Sequence, residues 1–358
     1  MTDNVSAGET LGLAERPLVK ADKGLAFSPS AMHMLPVSLE VLPAGEPCPC
    51  DLFLPLYNPG RKRVEMTLVC EQGQGFKEAW RQRLLSAQQR SAFVPLDQGH
   101  LLRAYFQDFA AQKLDDPAQP VAQKRLLLRE MASLGLRELF AGDLSPQVVG
   151  QAVGGIQAIL EQLTNDELIL TNLSEILRAD YNTYSHSVNV SLLAMALGRH
   201  LKLTDQRVQA LGMAGMLHDL GRSKLPPDMQ NKPGPLDEQE WALMRTHPHW
   251  GHRLLSHVHL ASMEVLKAVL HHHENADGSG YPHGITAQRT PLAARLLRLV
   301  DAFDAMTSHR PYRPAMQAFE AASTIMRSPQ HFDEDLIPHF LRFLASPHMI
   351  RKQGPEKS

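Results

Sequence analysis

The 358 residues are 43% hydrophobic and 21% charged, with a formal net charge of -2. That is globular composition, long enough for two domains and a large core, and it carries no basic excess for duplex nucleic acid or an anionic membrane surface. A small phosphate ligand would need only a local basic pocket, so near-neutrality leaves that class open. The unusual count is 18 histidines, roughly twice ordinary usage. Many of them fall between residues 186 and 283. Cys48, Cys50 and Cys70 lack the spacing of a zinc module, and an odd number suits a reducing compartment. The first residues show neither a basic start nor an apolar signal core, and apolar runs such as 190–197 are too short for a bilayer. The expectation is a cytoplasmic protein without membrane insertion.

In chain order, residues 1–34 are polar and aperiodic and read as a tail. Residues 35–120 read as a small α/β domain. Its segments 37–42 and 64–70 alternate apolar and polar residues as half-buried strands do, 51–56 and 92–95 read as further strands, and Asn58-Pro59-Gly60 is a turn signal. Segments 76–87 and 101–113 read as helices, and 115–120 as a linker. No catalytic set falls here: His33, His100 and the run Arg61-Lys62-Arg63 read as solvated. The domain is a candidate for sensing, for forming a homodimer or for docking a signalling partner. Residues 121–178 read as three connecting helices. One covers 121–140, the second is opened by Ser145 as cap and Pro146 in the first turn, and the third covers 166–178. The last segment, 332–350, reads as a closing amphipathic helical region.

The chemistry lies between these. On a helix opening near residue 182, His186, Val190, Leu193 and Leu197 share one face, so His186 points inward. Leu211, Ala214, Gly215 and His218 share another, where Gly215 and Ala214 permit close approach of a neighbour. His218-Asp219 thus ends an apolar run as two adjacent ligand-type groups, followed by Leu220-Gly221-Arg222. His247 follows a predicted helix containing Glu240 and Met244. His271-His272-His273-Glu274 follows an apolar helix at 263–270, and Asp301 and Asp304 close an apolar stripe that starts at Leu296. Singly, each is an ordinary core histidine or helix-end charge. Together, five inward histidines and two inward aspartates would be costly to bury unpaired, and shared metal ions remove that cost. Imidazole with carboxylate suits iron, manganese or zinc rather than magnesium or calcium. The ligand number exceeds the need of one ion and points to two, bridged by Asp219. Ions about 4 Å apart activate water and clamp both oxygens of a phosphoryl displacement.

The ordered segments are His218-Asp219, Lys232-Pro233-Gly234, His247-Pro248 with Gly251, His272-His273-Glu274 with Asp277-Gly278, Gly280-Tyr281-Pro282, Asp301-Ala302-Phe303-Asp304 and Arg310-Pro311-Tyr312-Arg313. In them, residues 180–345 resemble the HD-GYP family of cyclic di-GMP phosphodiesterases. The resemblance implies an α+β chain overall, with an all-α HD-type helical catalytic domain at 179–358 behind the small α/β N-terminal domain. It implies metal ligation by His186, His218, Asp219, His247, His272, His273 and Asp301, with His271 a bystander. Two divalent ions are expected, iron first and manganese as the alternative. Asp219 and Arg222 would be catalytic, and a metal-bridging hydroxide would attack phosphorus to open cyclic di-GMP to pGpG, with continuation to GMP open. Arg222, Gly280, Tyr281, Pro282, Arg310 and Arg313 would hold the substrate, guanidinium forks matching phosphate oxygens.

Two positions depart from the family pattern. Arg222 stands where lysine is usual, keeping the charge but not the compact geometry; Lys224 lies two residues on. Asn182 stands where three-metal members have a glutamate, which sets the expectation at two ions. Arg222 also supports a rival reading, a catalytically weak or inactive cyclic di-GMP receptor. A third reading, an HD-type phosphohydrolase of another nucleotide, is opposed by Gly280-Tyr281-Pro282 and by residues 310–313.

Overall fold

The structure, a computed structural model, describes residues 34–165 and 183–349, with short breaks at 43–44, 59–60, 62, 88, 115, 117, 142–143, 231, 233, 260, 309–314 and 347–348. The tail to residue 33, the helix expected at 166–178, Asn182, Arg310 and Arg313 therefore lie outside the described residues. The chain divides into two compact units, Met1–Leu134 and Gly135–Ser358.

In the first unit, strands β1 (Met34–Ser38), β2 (Leu52–Asn58), β3 (Arg63–Cys70) and β4 (Ser91–Pro95) form one sheet with the order β1-β4-β2-β3. Every pairing is antiparallel. Helices α1 (Glu78–Ser86) and α2 (Gly99–Lys113) accompany it. The apolar alternation that suggested a strand at 37–42 does continue, since Leu35, Val37, Leu39 and Val41 are all buried. Pairing, however, ends sooner. Leu39 N–H still reaches the Arg90 carbonyl at 2.9 Å, but Val41 N–H turns back to the Ser38 carbonyl at 3.3 Å. Alternation reports burial, and the strand stops where its ladder stops. Likewise β2 meets β4 only at Phe53 opposite Phe93; two residues on comes Pro55, which has no N–H to give a ladder. Leu52, Leu54, Leu56, Phe76, Leu102 and Phe106 pack into one core with Cys48, Cys50 and Cys70.

Helix α3 (Val121–Ala141) contains the division between the units, and α4 (Pro146–Asn165) follows. The second unit continues with α5 (Thr183–His200), α6 (Asp205–Leu217), a short 3-10 helix (Leu220–Lys224), α7 (Pro227–Gln230), α8 (Glu238–Met244) and α9 (His247–Leu255). It ends with α10 (Met263–His271), α11 (Leu292–Thr307), α12 (Ala318–Arg327) and α13 (Ile337–Leu344). Among its described residues there is no strand. Helix α6 is buried on every side from Leu211 to Leu217, as a central helix must be. It meets α5 backbone to backbone: a methyl on Gly215 would come within 2.8 Å of Ser191 Cα. The Ser191 hydroxyl donates to the Gly212 carbonyl at 2.7 Å across that contact. Helix α8 begins with a capping box between Asp237 and Glu240, and Glu240 also takes the Lys232 ammonium at 2.6 Å. Phe340 and Phe343 of α13 are buried, Phe340 edge-on to Phe303 of α11 at 5.5 Å. No described helix is long and apolar enough to cross a membrane.

Candidate metal centre

Five segments bring their ends together. His186 comes from the first turn of α5, His218 and Asp219 from the end of α6, His247 from the start of α9, His272 and His273 from just past α10, and Asp301 from the inner face of α11. They form two groups: His186, His218 and Asp301 in one, Asp219, His247, His272 and His273 in the other. Within each group, one donor atom per residue lies within 4.8 Å of the rest. All the ligands expected from sequence are in these groups. Asp219 spans them, with Oδ2 3.4 Å from His218 Nε2 and Oδ1 3.3 Å from His247 Nε2. Asp301 spans them a second time, with Oδ1 3.1 Å from His186 Nε2 and Oδ2 3.9 Å from His273 Nδ1.

The ring orientations follow from helix ends. The last carbonyls of a helix have no intrahelical partner. Three of these carbonyls take an imidazole Nδ1–H from three residues on: Gly215 from His218 at 2.8 Å, Met244 from His247 at 2.8 Å, and Val269 from His272 at 2.7 Å. Each bond places a proton on Nδ1 and turns Nε2 inward, the orientation in which a neutral ring offers its lone pair to a metal. Two of those lone pairs, on His247 and His272, then face each other at 3.3 Å with no proton to share. A cation between the donors resolves that repulsion, and the donor set fits one. His186 is held differently, by the Asp304 carboxylate at 2.7 Å from its Nδ1. Asp304 is in turn fixed by the Asn189 amide at 3.0 Å and the Ser308 hydroxyl at 3.2 Å. The sequence marked Asp304 as an inward carboxylate without giving it a role; its place one turn after Asp301 was the available signal.

Burial sets the charge states. It lowers the His272 and His273 imidazoles well below their ordinary range, and neighbouring imidazoles add to this. It pulls His247 down to about 4 against the opposing field of Asp219. Burial also opposes ionisation of Asp219, but Arg222, His218 and His247 outweigh it and hold the carboxyl well below the usual range. Asp301 is held down likewise, burial being outweighed first by His186. Neutral imidazoles and ionised carboxylates are the protonation states that ligate divalent ions.

Around this set, Arg222 donates from Nη1 to Asp219 Oδ2 at 2.8 Å, and Lys224 is exposed. The turn carrying both lies directly on α9: a methyl on Gly221 would sit 1.9 Å from the His247 carbonyl oxygen and 2.5 Å from Gly251 N. On the other side, buried Glu274 fixes the loop of Gly280, Tyr281 and Pro282. Its carboxylate accepts the His283 N–H at 2.7 Å and the Ile285 N–H at 3.1 Å. Gly280 is packed so tightly that a methyl would lie 2.2 Å from Asn275 N. The Tyr281 ring then lies over His273, centroids 4.7 Å apart. A cavity of about 660 Å³ opens there, lined by Trp241, Arg245, His273, Gly280, Tyr281 and Arg298 among others. Arg298 Nε donates to Asn275 Oδ1 at 3.1 Å, and the Arg245 guanidinium lies 6.0 Å from the Tyr281 ring centroid. Sequence reasoning missed Trp241, Arg245 and Arg298. Trp241 and Arg245 share a helical face by their spacing, but nothing local says that the face borders the centre.

A family model described as an HD domain matches residues 164–336. The chain also resembles named proteins. Over 173 residues, 48% of the chain, it is 40% identical to the cyclic di-GMP phosphodiesterase PA4108 of Pseudomonas aeruginosa, of which that match covers 42%. Over 208 residues, 56% of the chain, it is 33% identical to the cyclic di-GMP phosphodiesterase response regulator RpfG of Xanthomonas campestris, of which 54% is covered. The chain thus spans about half the length of these relatives. The solved structure of Bd1817, an HDG"Y"P protein from Bdellovibrio bacteriovorus, matches with a TM-score of 0.65 at 18% identity. That match covers 87% of this chain and all of the other, a likeness of fold.

Proposed function

We propose that the chain is a phosphodiesterase that opens cyclic di-GMP to pGpG, using two divalent ions, iron first and manganese as the alternative. The observation that carries this is the pair of adjoining donor groups, spanned by both Asp219 and Asp301, beside the cavity under Tyr281. His186, His218 and Asp301 would hold one ion, and His247, His272 and His273 the other, with Asp219 shared. Such ions supply Lewis acidity that polarises phosphoryl oxygens and makes water nucleophilic near neutral pH.

The chain's own groups do the rest. Arg222 keeps Asp219 ionised and oriented. Arg245 and Arg298 bring guanidinium donors to the cavity wall, where phosphate oxygens suit their forks, and Trp241 offers a flat face to a purine. Arg310 and Arg313 complete the phosphate grip in this reading, and Gly280, Tyr281 and Pro282 shape the floor. The cytoplasm, and a homodimer or signalling partner at residues 35–120, belong to the same proposal. The substitution of Arg222 for the family's lysine favours one second reading, a cyclic di-GMP receptor with weak or no turnover.

Anaerobically purified protein, with its metals quantified, should convert cyclic di-GMP to pGpG when followed by chromatography. Tight binding without product, in metal-loaded protein, would instead establish the receptor.

A further inference from the structure

Outside the two inner groups, a third set of donors converges where α10 meets the loop that carries Tyr281. We propose that His271, Glu274 and His283 form a separate cation site that takes zinc or an ion of similar character. Their donor atoms lie within 4.8 Å of one another, and none of the three belongs to the inner groups. His271 Nδ1 and Glu274 Oε1 are 3.6 Å apart. That is too long for a hydrogen bond. It is close to the separation of roughly 3.4 Å between two ligands of one tetrahedral zinc. His271 Nδ1 is buried and has no hydrogen-bond partner. A buried imidazole nitrogen left in that state is costly unless something coordinates it.

The remaining donors are placed to help. Glu274 is immobilised by the backbone N–H groups of His283 and Ile285, and each carboxylate oxygen keeps a second lone pair. The His283 ring packs against His271 at 5.2 Å between centroids. The His249 ring on α9 packs edge-on against His283, also at 5.2 Å between centroids. Two imidazoles with one carboxylate select zinc, cobalt or nickel over magnesium and calcium. An ion there would tie α10 to the loop that carries Tyr281. The site does not depend on what the inner centre hydrolyses.

The test is metal stoichiometry. Protein loaded anaerobically with iron, then equilibrated with zinc and desalted, should hold one more equivalent of zinc than the His283→Ala variant, with the same iron content. In His283→Cys, cobalt(II) should produce a thiolate-to-cobalt charge-transfer band in the near ultraviolet that the wild type lacks. Equal zinc in wild type and a folded His283→Ala variant overturns the proposal. So does a cobalt-treated, folded His283→Cys variant without the band, which decides the matter if His283→Ala fails to fold.

Discussion

The interior of the sheet unit is leucine and phenylalanine packed around the thiols of Cys48, Cys50 and Cys70, whereas the helical unit gathers imidazoles and carboxylates at the end of α6. The thiols are compatible with an apolar surrounding. Burial, with Asp51 adding to it, pushes Cys50 up to about 12, so it stays neutral and asks for no counter-charge. The donors of the helical unit make the opposite demand. Asp219 and Asp301 stay ionised while buried, and every imidazole needs its Nδ1 or Nε2 spoken for. The sheet unit is held by excluding water from apolar surface, whereas the helical unit must in addition satisfy buried polar groups through helix-end carbonyls, Asp304 and Arg222. Substitutions that cut only one of these two kinds of support should separate stability from chemistry.

The largest effect is expected at Asp219, which serves both donor groups. Asp219→Ala should lose bound metal and cut turnover on the order of 10³-fold or more. Retained activity would refute the bridging role. In the sheet unit, Leu54→Ala should lower unfolding stability by about 2–5 kcal/mol, since Leu54 is 1% exposed. Chemical denaturation measures that loss, and metal content per folded molecule should stay as in wild type. If metal falls in step with stability, the two interiors are not independent supports.

How far the sequence could be read follows the same division. Two inner donors were legible from helical spacing to apolar residues, His186 with Val190 and Leu193 and His218 with Leu211 and Ala214, whereas the choice of His272 and His273 over His271 came from the family resemblance. Gly215 was legible as a close approach for the same reason. What stayed hidden was set by three-dimensional neighbours. The Asp304–His186 bond joins residues 118 apart, and Glu274 acts on backbone groups nine and eleven residues on. The end of β1 depended on hydrogen bonds that burial alternation cannot report. The sheet order β1-β4-β2-β3 is non-sequential, so no local pattern could have supplied it.

Smaller effects sharpen the contrast. Asp304→Asn removes the charge behind His186 but keeps the volume, and should weaken metal binding by about 10–100-fold with little loss of fold. A metal titration with a competing chelator measures this, and unchanged affinity would make Asp304 a packing residue only. Arg245→Ala should raise KM about tenfold, the equivalent of ~1.4 kcal/mol, and leave kcat nearly unchanged. A fall in kcat alone would move Arg245 from binding the ground state to serving the transition state. Smallest of all, Arg222→Lys should raise turnover a few-fold by restoring a compact charge beside Asp219. A decrease would mark the arginine as an adaptation of this chain.

The contact at Gly221 acts as a mechanical stop. Because its Cα rests on the His247 carbonyl and the Gly251 amide, the gap between Asp219 and His247 is gauged by main chain against main chain. No rotamer change can relieve that contact, because main chain meets main chain. In a saturation library, position 221 should accept glycine alone, although glycine has no side chain to touch substrate or ion.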